Sequence, residues 1–135
     1  MSFYSNLYDA EPTYRIKLIR ARVSRSQVRT LATNLGMSES VLAADLDLGL
    51  GKTESISQAQ SERVIGLMTL IGHVERIVER SGTADFFDAA KWLGAWLDAP
   101  LPALGGARPS TFLDTMTGQE MLNSLLAYSE SGAYA

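Results

Sequence analysis

The side chains that could carry acid–base or metal chemistry are few in this sequence, and they lie far apart. His73 is the single histidine, and cysteine is absent. A nucleophilic triad or a transition-metal site needs several such groups in one place. Nothing near His73 in the sequence supplies them, so we expect it to lie at the surface or at the edge of the core. The sequence therefore predicts no enzyme activity, no cofactor and no metal site.

Two further patterns resemble a phosphate-binding loop and a pair of catalytic carboxylates, but the surrounding residues do not support either site. Gly51-Lys52-Thr53 matches the end of a phosphate-binding loop, but Leu46 stands where that motif needs its first glycine, and no apolar strand precedes it. Glu75 and Glu79 are spaced like a pair of catalytic carboxylates. Charges at this spacing usually form a solvated helix face, and Arg76 is placed to pair with Glu79.

Composition points to an ordinary globular chain. It has 135 residues, a net charge of −3 and 46% hydrophobic residues, which is enough for one core with a small appended subdomain. No apolar run approaches the length of a membrane helix, and the first residues lack the basic and apolar regions of a signal peptide. Together with the absence of cysteine, this predicts a soluble cytoplasmic protein and no membrane partner.

Basic residues are concentrated near the N-terminus. Half of the twelve lysines and arginines fall in one stretch that contains no acid: Arg15, Lys17, Arg20, Arg22, Arg25 and Arg29. Such a block can attract phosphate groups. It can equally be a solvated face that offsets acids elsewhere, and the sequence leaves both interpretations open.

The elements that follow have a helical period. A helix from Ser26 to Leu35 ends at Gly36, and Ser38 then caps a second short helix over 39–46 with Val41, Leu42 and Leu46 inward. Two short helices joined through glycine are compatible with a helix-turn-helix unit. The segment Lys52–Ser55, which follows, is poor in the side chains that read base edges. Any DNA binding would therefore depend on four basic residues, namely Arg22, Arg25, Arg29 and Lys52.

Three more helices are predicted. Ser57 and Gln60 form a capping box that opens the longest, Gln58–Arg80, which carries a continuous apolar stripe. The next runs over 85–97, with Thr83 or Asp85 as its cap and Phe86, Ala90, Leu93 and Leu97 on one face. The last is opened by a capping box from Thr117 to Glu120 and continues to about Tyr128, with Met121, Leu122, Leu125 and Leu126 inward. The fold class is therefore all-α.

Three of the four prolines and two adjacent glycines lie between Pro100 and Pro109. Proline fixes φ and removes a donor, whereas glycine permits positive φ, so this segment cannot continue a helix. Pro109 suits the first position of a short helix to Asp114. A shaped loop between helices is either a connector or a binding feature. Trp92 and Trp96, just before it, suit a core edge or an interface.

The C-terminal part resembles the toxin-binding domain of the Xre/MbcA/ParS antitoxins. That domain has a Trp-Leu pair, then a loop N-x-A-L-G-G-x-x-P, then L-L-D-T-x-x-G, and it ends on a tail similar to G-v-x-A. The matching positions here are Trp92, Leu93, Ala103, Leu104, Gly105, Gly106, Pro109, Leu113, Asp114, Thr115, Gly118 and the ending Gly132-Ala-Tyr-Ala135. Leu101 replaces the usual asparagine. The likeness covers about residues 57–135, whereas the N-terminal part is only weakly similar, around Leu35-Gly-Met-Ser38.

The resemblance implies an antitoxin of a type II toxin–antitoxin module, without catalysis of its own. Its partner would be a RES-domain toxin that consumes NAD or transfers ADP-ribose. The antitoxin would block the toxin's active-site entrance, form a homodimer within a hetero-oligomeric complex and bind its own operator DNA. We expect these residues to face the toxin, with Arg108 as an ion-pair donor: Leu104, Gly105, Gly106, Arg108, Pro109, Gly132, Ala133, Tyr134 and Ala135.

The predicted organisation has three parts. Residues 1–14 form an N-terminal arm without its own core, residues 15–56 form the helix-turn-helix-like and dimerisation region, and residues 57–135 form the small helical toxin-binding domain. The alternative function is a helix-turn-helix transcriptional regulator that acts mainly on DNA. It predicts salt-sensitive operator binding that does not need the C-terminal tail.

Overall fold

A computed structural model describes residues 2–49, 51, 53–82 and 85–131 of the chain. The described residues form seven α-helices and two short 3₁₀ helices. The α-helices are α1 (Phe3–Asp9), α2 (Pro12–Ala21), α3 (Arg25–Leu35), α4 (Glu39–Asp45), α5 (Gln58–Arg80), α6 (Ala89–Leu97) and α7 (Met116–Ser131). The 3₁₀ helices, Pro102–Leu104 and Pro109–Phe112, lie between α6 and α7. The predicted all-α fold is confirmed.

Helix α5 is the central element, and α1, α2, α6 and α7 all pack against it. Its bounds match the prediction because Ser57 and Gln60 form the expected capping box: the Ser57 hydroxyl accepts from the Gln60 amide at 3.1 Å, and the Gln60 side chain accepts from the Ser57 amide at 2.9 Å. Near its other end Arg76 pairs with Glu79, as the spacing predicts. Buried residues from all three predicted parts of the chain belong to one hydrophobic cluster, which includes Leu7, Leu42 and Leu126.

The first residues, which we expect to be an arm without its own core, pack against the rest of the fold. They form α1, whose Leu7 is fully buried against α5. The approach is close because residue 72 is glycine: a Cβ there would stand 2.0 Å from the main-chain oxygen of Tyr4. The Arg76 guanidinium pairs with Asp9 at the end of α1. A few specific contacts with α5 stabilise this helix, so it does not need a long apolar stripe. For that reason its sequence shows no clear helical period.

Helices α3 and α4 have the expected caps. Gly36 ends α3 with φ +75°, and the Ser38 side chain accepts from the Val41 amide at 3.2 Å. One expectation is wrong, since Val41 is 51% exposed and faces solvent instead of the core. In the described part of the segment after α4 there is no helix, and Ser55 forms a bridge with Ser24. The helix-turn-helix role of this region therefore stays a prediction.

Two helix starts differ from the prediction. Helix α6 begins at Ala89, where the Asp88 carboxylate accepts from the Lys91 amide at 3.1 Å, and not near Asp85. Phe86 has φ +67° and a fully exposed ring, so it cannot join the buried face of that helix. Thr83, the other proposed cap, lies outside the described residues.

Helix α7 also starts earlier than predicted. Its cap is Thr115, whose hydroxyl accepts from the Gly118 amide at 2.9 Å, so the capping box from Thr117 to Glu120 does not form. Leu122 and Leu126 are buried as expected, whereas Met121 is exposed. Among the described helices, none is both long and apolar enough to cross a membrane.

Candidate functional site

The segment between α6 and α7 is a closed loop with its own hydrogen bonds. Leu101 lies at its neck, where its amide donates to Ala107 O at 3.1 Å and its carbonyl accepts from the Gly106 amide at 2.9 Å. The 3₁₀ turn Pro102–Leu104 fills the loop, and Gly105 N donates to Pro102 O at 3.0 Å. The loop therefore has one defined conformation and is not a flexible linker.

Two glycines form the tip of this loop. Gly105 has φ +66° and Gly106 has φ +87°, which is the left-handed region that side chains disfavour. A Cβ at either position would meet nothing within 4 Å. Glycine is thus favoured by backbone conformation and not by crowding. The consequence is a patch of bare, exposed main chain at the tip.

The residues beside the glycines divide into exposed and inward-facing ones. Leu104 packs partly against the hydrophobic core. Pro109 is buried where it opens the second 3₁₀ helix, so its side chain is not exposed in the free chain, unlike the surface that the sequence predicts for it. Arg108 is exposed, yet its Nε donates to the main-chain oxygen of Asp98 at 2.9 Å and lies 3.5 Å from the Asp98 carboxylate. Its first role is therefore to join the two ends of the loop.

An aromatic pair leads into the loop along α6. The rings of Trp92 and Trp96 stack with centroids 6.2 Å apart and planes inclined by 16°. Trp96 packs against the core, which is one of the two positions that the sequence leaves open for it. Trp92 is 39% exposed. Together with the exposed Ala95 and Ala99 it gives α6 an apolar outer face that continues into the loop.

The three described residues among the proposed DNA contacts do not form one free cationic face. Arg25 Nε donates to the Thr53 carbonyl at 2.8 Å, which fastens the segment after α4 to α3. Arg29 lies 3.3 Å from the Glu39 carboxylate, so part of its charge is offset within the chain. Arg22 is exposed at the end of α2 with φ +67°. Lys52 lies outside the described residues.

His73 is buried, which rules out the surface position, one of the two that we expect from the sequence. Its Nδ1 lies 2.7 Å from Asn123 Oδ1, and its ring stacks on Tyr8 at a centroid distance of 4.8 Å with planes inclined by 5°. The histidine thus joins α1, α5 and α7. Within the described parts of the chain, no three acids or histidines are grouped so that they could hold a metal ion.

Two comparisons with known proteins each give a match. A family model described as the antitoxin Xre/MbcA/ParS C-terminal toxin-binding domain matches residues 83–132, which include α6 and the whole loop. A curated relative, the Prs ADP-ribosylating antitoxin of Sphingobium sp. (strain YBL2), is 40% identical over 139 residues, covering 98% of this chain and 87% of the relative. The chain belongs to the Xre/MbcA/ParS antitoxin family. It is an antitoxin, and its activity is binding a toxin and not catalysis.

The match assigns the loop to the toxin-binding part of the antitoxin. Leu104 to Pro109 lie well inside the matched residues, and Gly132 is the last residue of the match. The tail 132–135 lies outside the residues that the structure describes. Sequence reasoning missed Asp98, the partner of Arg108. The available signal was an acid directly after α6, ten residues before an arginine at the other end of a proline-rich segment.

Proposed function

We propose that this antitoxin neutralises a RES-domain toxin, an enzyme that consumes NAD or transfers ADP-ribose, by covering the entrance of its active site. The observation that carries the proposal is the exposed, hydrogen-bonded tip at Gly105 and Gly106, which lies within the family's toxin-binding domain. A rigid loop loses little conformational entropy when it binds, so its contacts are retained as affinity. Bare main chain also admits close approach of a partner surface.

The surface around this tip suits a protein partner. Trp92 is an exposed aromatic residue of the type that dominates binding energy at interfaces, and it leads along α6 towards Asp98 and the loop. The slim tail Gly132–Ala135 completes the proposal as a segment that enters the toxin's cleft. Arg108 would present the outer part of its guanidinium to the toxin while its Nε stays bound to Asp98.

Assembly and regulation form the second part of the proposal. The antitoxin would act in the cytoplasm as a homodimer within a hetero-oligomeric complex, and it would repress its own operon. Arg22 and the exposed cations of α2 are the candidate phosphate contacts. Arg25 and Arg29 have partners within the chain, so fewer cations are free to contact phosphate. DNA binding is therefore secondary to toxin binding.

The test is growth rescue of cells that express the toxin encoded beside this antitoxin. Gly105→Asn adds a side chain at the tip, and asparagine tolerates positive φ, so folding is retained. Gly49→Asn is the matched control, because Gly49 also has positive φ (+68°) and open space around it. We expect the control to rescue growth as the wild type does, and Gly105→Asn to rescue poorly although it is expressed equally.

A truncation after Ser131 separates the loop from the tail. Loss of rescue by the truncated chain assigns part of the inhibition to Gly132–Ala135. Full rescue by both the truncation and Gly105→Asn would contradict active-site blocking by either segment. Failure of the wild-type chain to rescue, with both proteins present, would contradict the choice of toxin.

A further inference from the structure

A groove runs beside α6, on the side away from the tryptophan pair. One wall is the corner between α3 and α4, from Leu35 to Asp45, and the other is α6 from Lys91 to Asp98. Ser110 also lines the groove, and the volume is about 710 Å³. The groove therefore lies between a wall that belongs to the family's toxin-binding domain and a wall outside it.

The two walls are held close together by one residue. Gly94 of α6 faces the end of α3, and a Cβ at this position would stand 2.0 Å from the main-chain oxygen of Leu35. The contact is between two main chains, so neither wall can shift without disrupting helix packing. The groove is thus a preformed feature of the fold and needs no rearrangement to accept a partner.

Acids outnumber bases among the described side chains that line the groove. Asp45 and Asp98 both line it, and Lys91 is the one cation among its lining residues that the structure describes. Within the described part of the chain no cation is in ion-pair contact with Asp45. Burial and then the charge of Asp98 raise the pKa of Asp45. A partly buried carboxylate without a partner is stabilised when a cation arrives.

The rims of the groove are apolar. Val41 is 51% exposed on the α4 side, and Ala95 is exposed on the α6 side. The stem of an arginine or lysine side chain is apolar and its head is charged. Such a side chain therefore suits a groove that has both exposed apolar residues and carboxylates. Asp98 also bonds to Arg108 at the base of the loop, which makes the groove continuous with the proposed toxin-facing surface.

We propose that this groove receives a basic side chain, an arginine or a lysine, of the toxin. The proposal rests on the toxin-binding function proposed above and deepens it, because it adds the α3–α4 corner to the contact surface. Asp45 is the residue that recognises the incoming cation. Asp98, whose charge is partly offset by Arg108, adds to the negative potential. Val41 and Ala95 enclose the aliphatic stem. Half-buried charge pairs of this kind affect both the affinity and its dependence on salt.

The first measurement is the affinity of the full-length antitoxin for the toxin encoded beside it, by calorimetry at two salt concentrations. Asp45→Asn should weaken binding about tenfold, because the loss expected for a half-buried charge pair lies between those for an exposed and a fully buried pair. The affinity should also depend less on salt concentration. Asp47→Asn is the matched control. It removes the same charge two residues away, from an exposed site with φ +54° that does not line the groove, and asparagine suits that backbone. We expect it to change the affinity less than twofold.

The second measurement locates the contact. The chain contains no cysteine, so Val41→Cys introduces a single thiol at the rim of the groove. Its rate of alkylation should fall at least tenfold when the toxin is bound, while Gln58→Cys, exposed at the start of α5, reports any general loss of reactivity. The variant should bind the toxin with nearly wild-type affinity, because the substitution is small and lies at an exposed position.

Two results would overturn the proposal while leaving toxin binding intact. One is an equal loss of affinity in Asp45→Asn and Asp47→Asn, and the other is a thiol at position 41 that reacts as fast in the complex as in the free chain. Protection of that thiol without toxin, rising with antitoxin concentration, would assign the groove to a second copy of this chain instead. If the wild-type chain itself does not bind the toxin, the proposed partner is wrong, and the groove has no basic side chain of that toxin to receive.

Discussion

The Nε of Arg108 donates to the main-chain oxygen of Asp98, 2.9 Å away, and this bond joins the two ends of the proline-glycine loop. The donor lies just before the second 3₁₀ helix, and the acceptor is the residue that ends α6. Arg108 thus has a positioning role in the free antitoxin, before any partner binds. Its guanidinium is still more than half exposed, so a direct charge contact with the toxin is a separate role that can be tested.

Lysine and alanine at position 108 separate these two roles. Lysine keeps the charge but lacks the planar Nε donor, so both Arg108→Lys and Arg108→Ala should release the loop from the end of α6, although its internal main-chain bonds remain. Ordering the released loop on binding should then lower the affinity for the toxin about tenfold in both variants. Thermal unfolding of the free chain should change little, since the residue is exposed. Isothermal calorimetry checks the affinity, with exposed Arg20→Ala as the control. If Arg108→Lys binds like the wild type, the charge acts directly on the toxin and the positioning role is wrong.

The parts of the fold that followed from sequence are those fixed by local signals. Helix α5 has the predicted bounds because its cap and its apolar stripe lie within the helix itself. The loop from Pro100 to Pro109 could be predicted because proline and glycine limit the backbone wherever they stand. The outward direction of Val41 and the burial of His73 could not be predicted, because each depends on which helix packs against that side of its own helix.

The misplaced helix starts have a similar cause. Several residues with capping side chains lie close together before α6 and before α7, and the choice among them depends on the chain that precedes each helix. Phe86 has a positive φ, which places the start of α6 after it, at the cap Asp88. In the loop, the exposed pair Gly105 and Gly106 could be located from sequence, whereas the buried position of Pro109 and the bond from Arg108 to Asp98 required the packed structure.

Gly94 should be the most sensitive glycine of α6. Helix propensity alone predicts that Gly94→Ala stabilises the helix by about 1 kcal/mol. The contact with Leu35 predicts the opposite, because the added Cβ meets a main-chain oxygen that has no room to move. We expect a net loss of about 2 kcal/mol in the free energy of unfolding, as for other overpacked sites. Urea denaturation measures it, and Ala95→Ser, at the next and exposed position, should change it by less than about 0.5 kcal/mol. A more stable Gly94→Ala chain would show that α3 and α6 are not in close contact.

Asp9 should stabilise the fold at neutral pH through its contact with Arg76. Hydrogen bonds from that guanidinium hold the pKa of the Asp9 carboxyl below its ordinary value of 3.8. A lowered pKa gives stability that is present above the unfolded value and is lost as the pH falls through the folded value. Asp9→Asn should therefore lower the melting temperature at pH 7, and the difference from the wild type should vanish near pH 2. Exposed Asp114→Asn should show no such pH-dependent difference, and a constant gap at both pH values for Asp9→Asn would contradict the ion pair.

Asp45 should have the opposite effect on stability. Its pKa is raised by burial and by the charge of Asp98, so its contribution to stability is present below the ordinary value of 3.8 and is lost as the pH rises through the folded value. At pH 7 the ionised carboxylate is then unfavourable in the free chain. Asp45→Asn should have a melting temperature equal to or above that of the wild type at pH 7, and the gap should close below pH 4. Thermal unfolding monitored by circular dichroism checks this, with Asp47→Asn as the matched control. A variant that is less stable at pH 7 would mean that Asp45 has a cationic partner within the chain, and the groove would then have no unpaired charge to offer to a toxin.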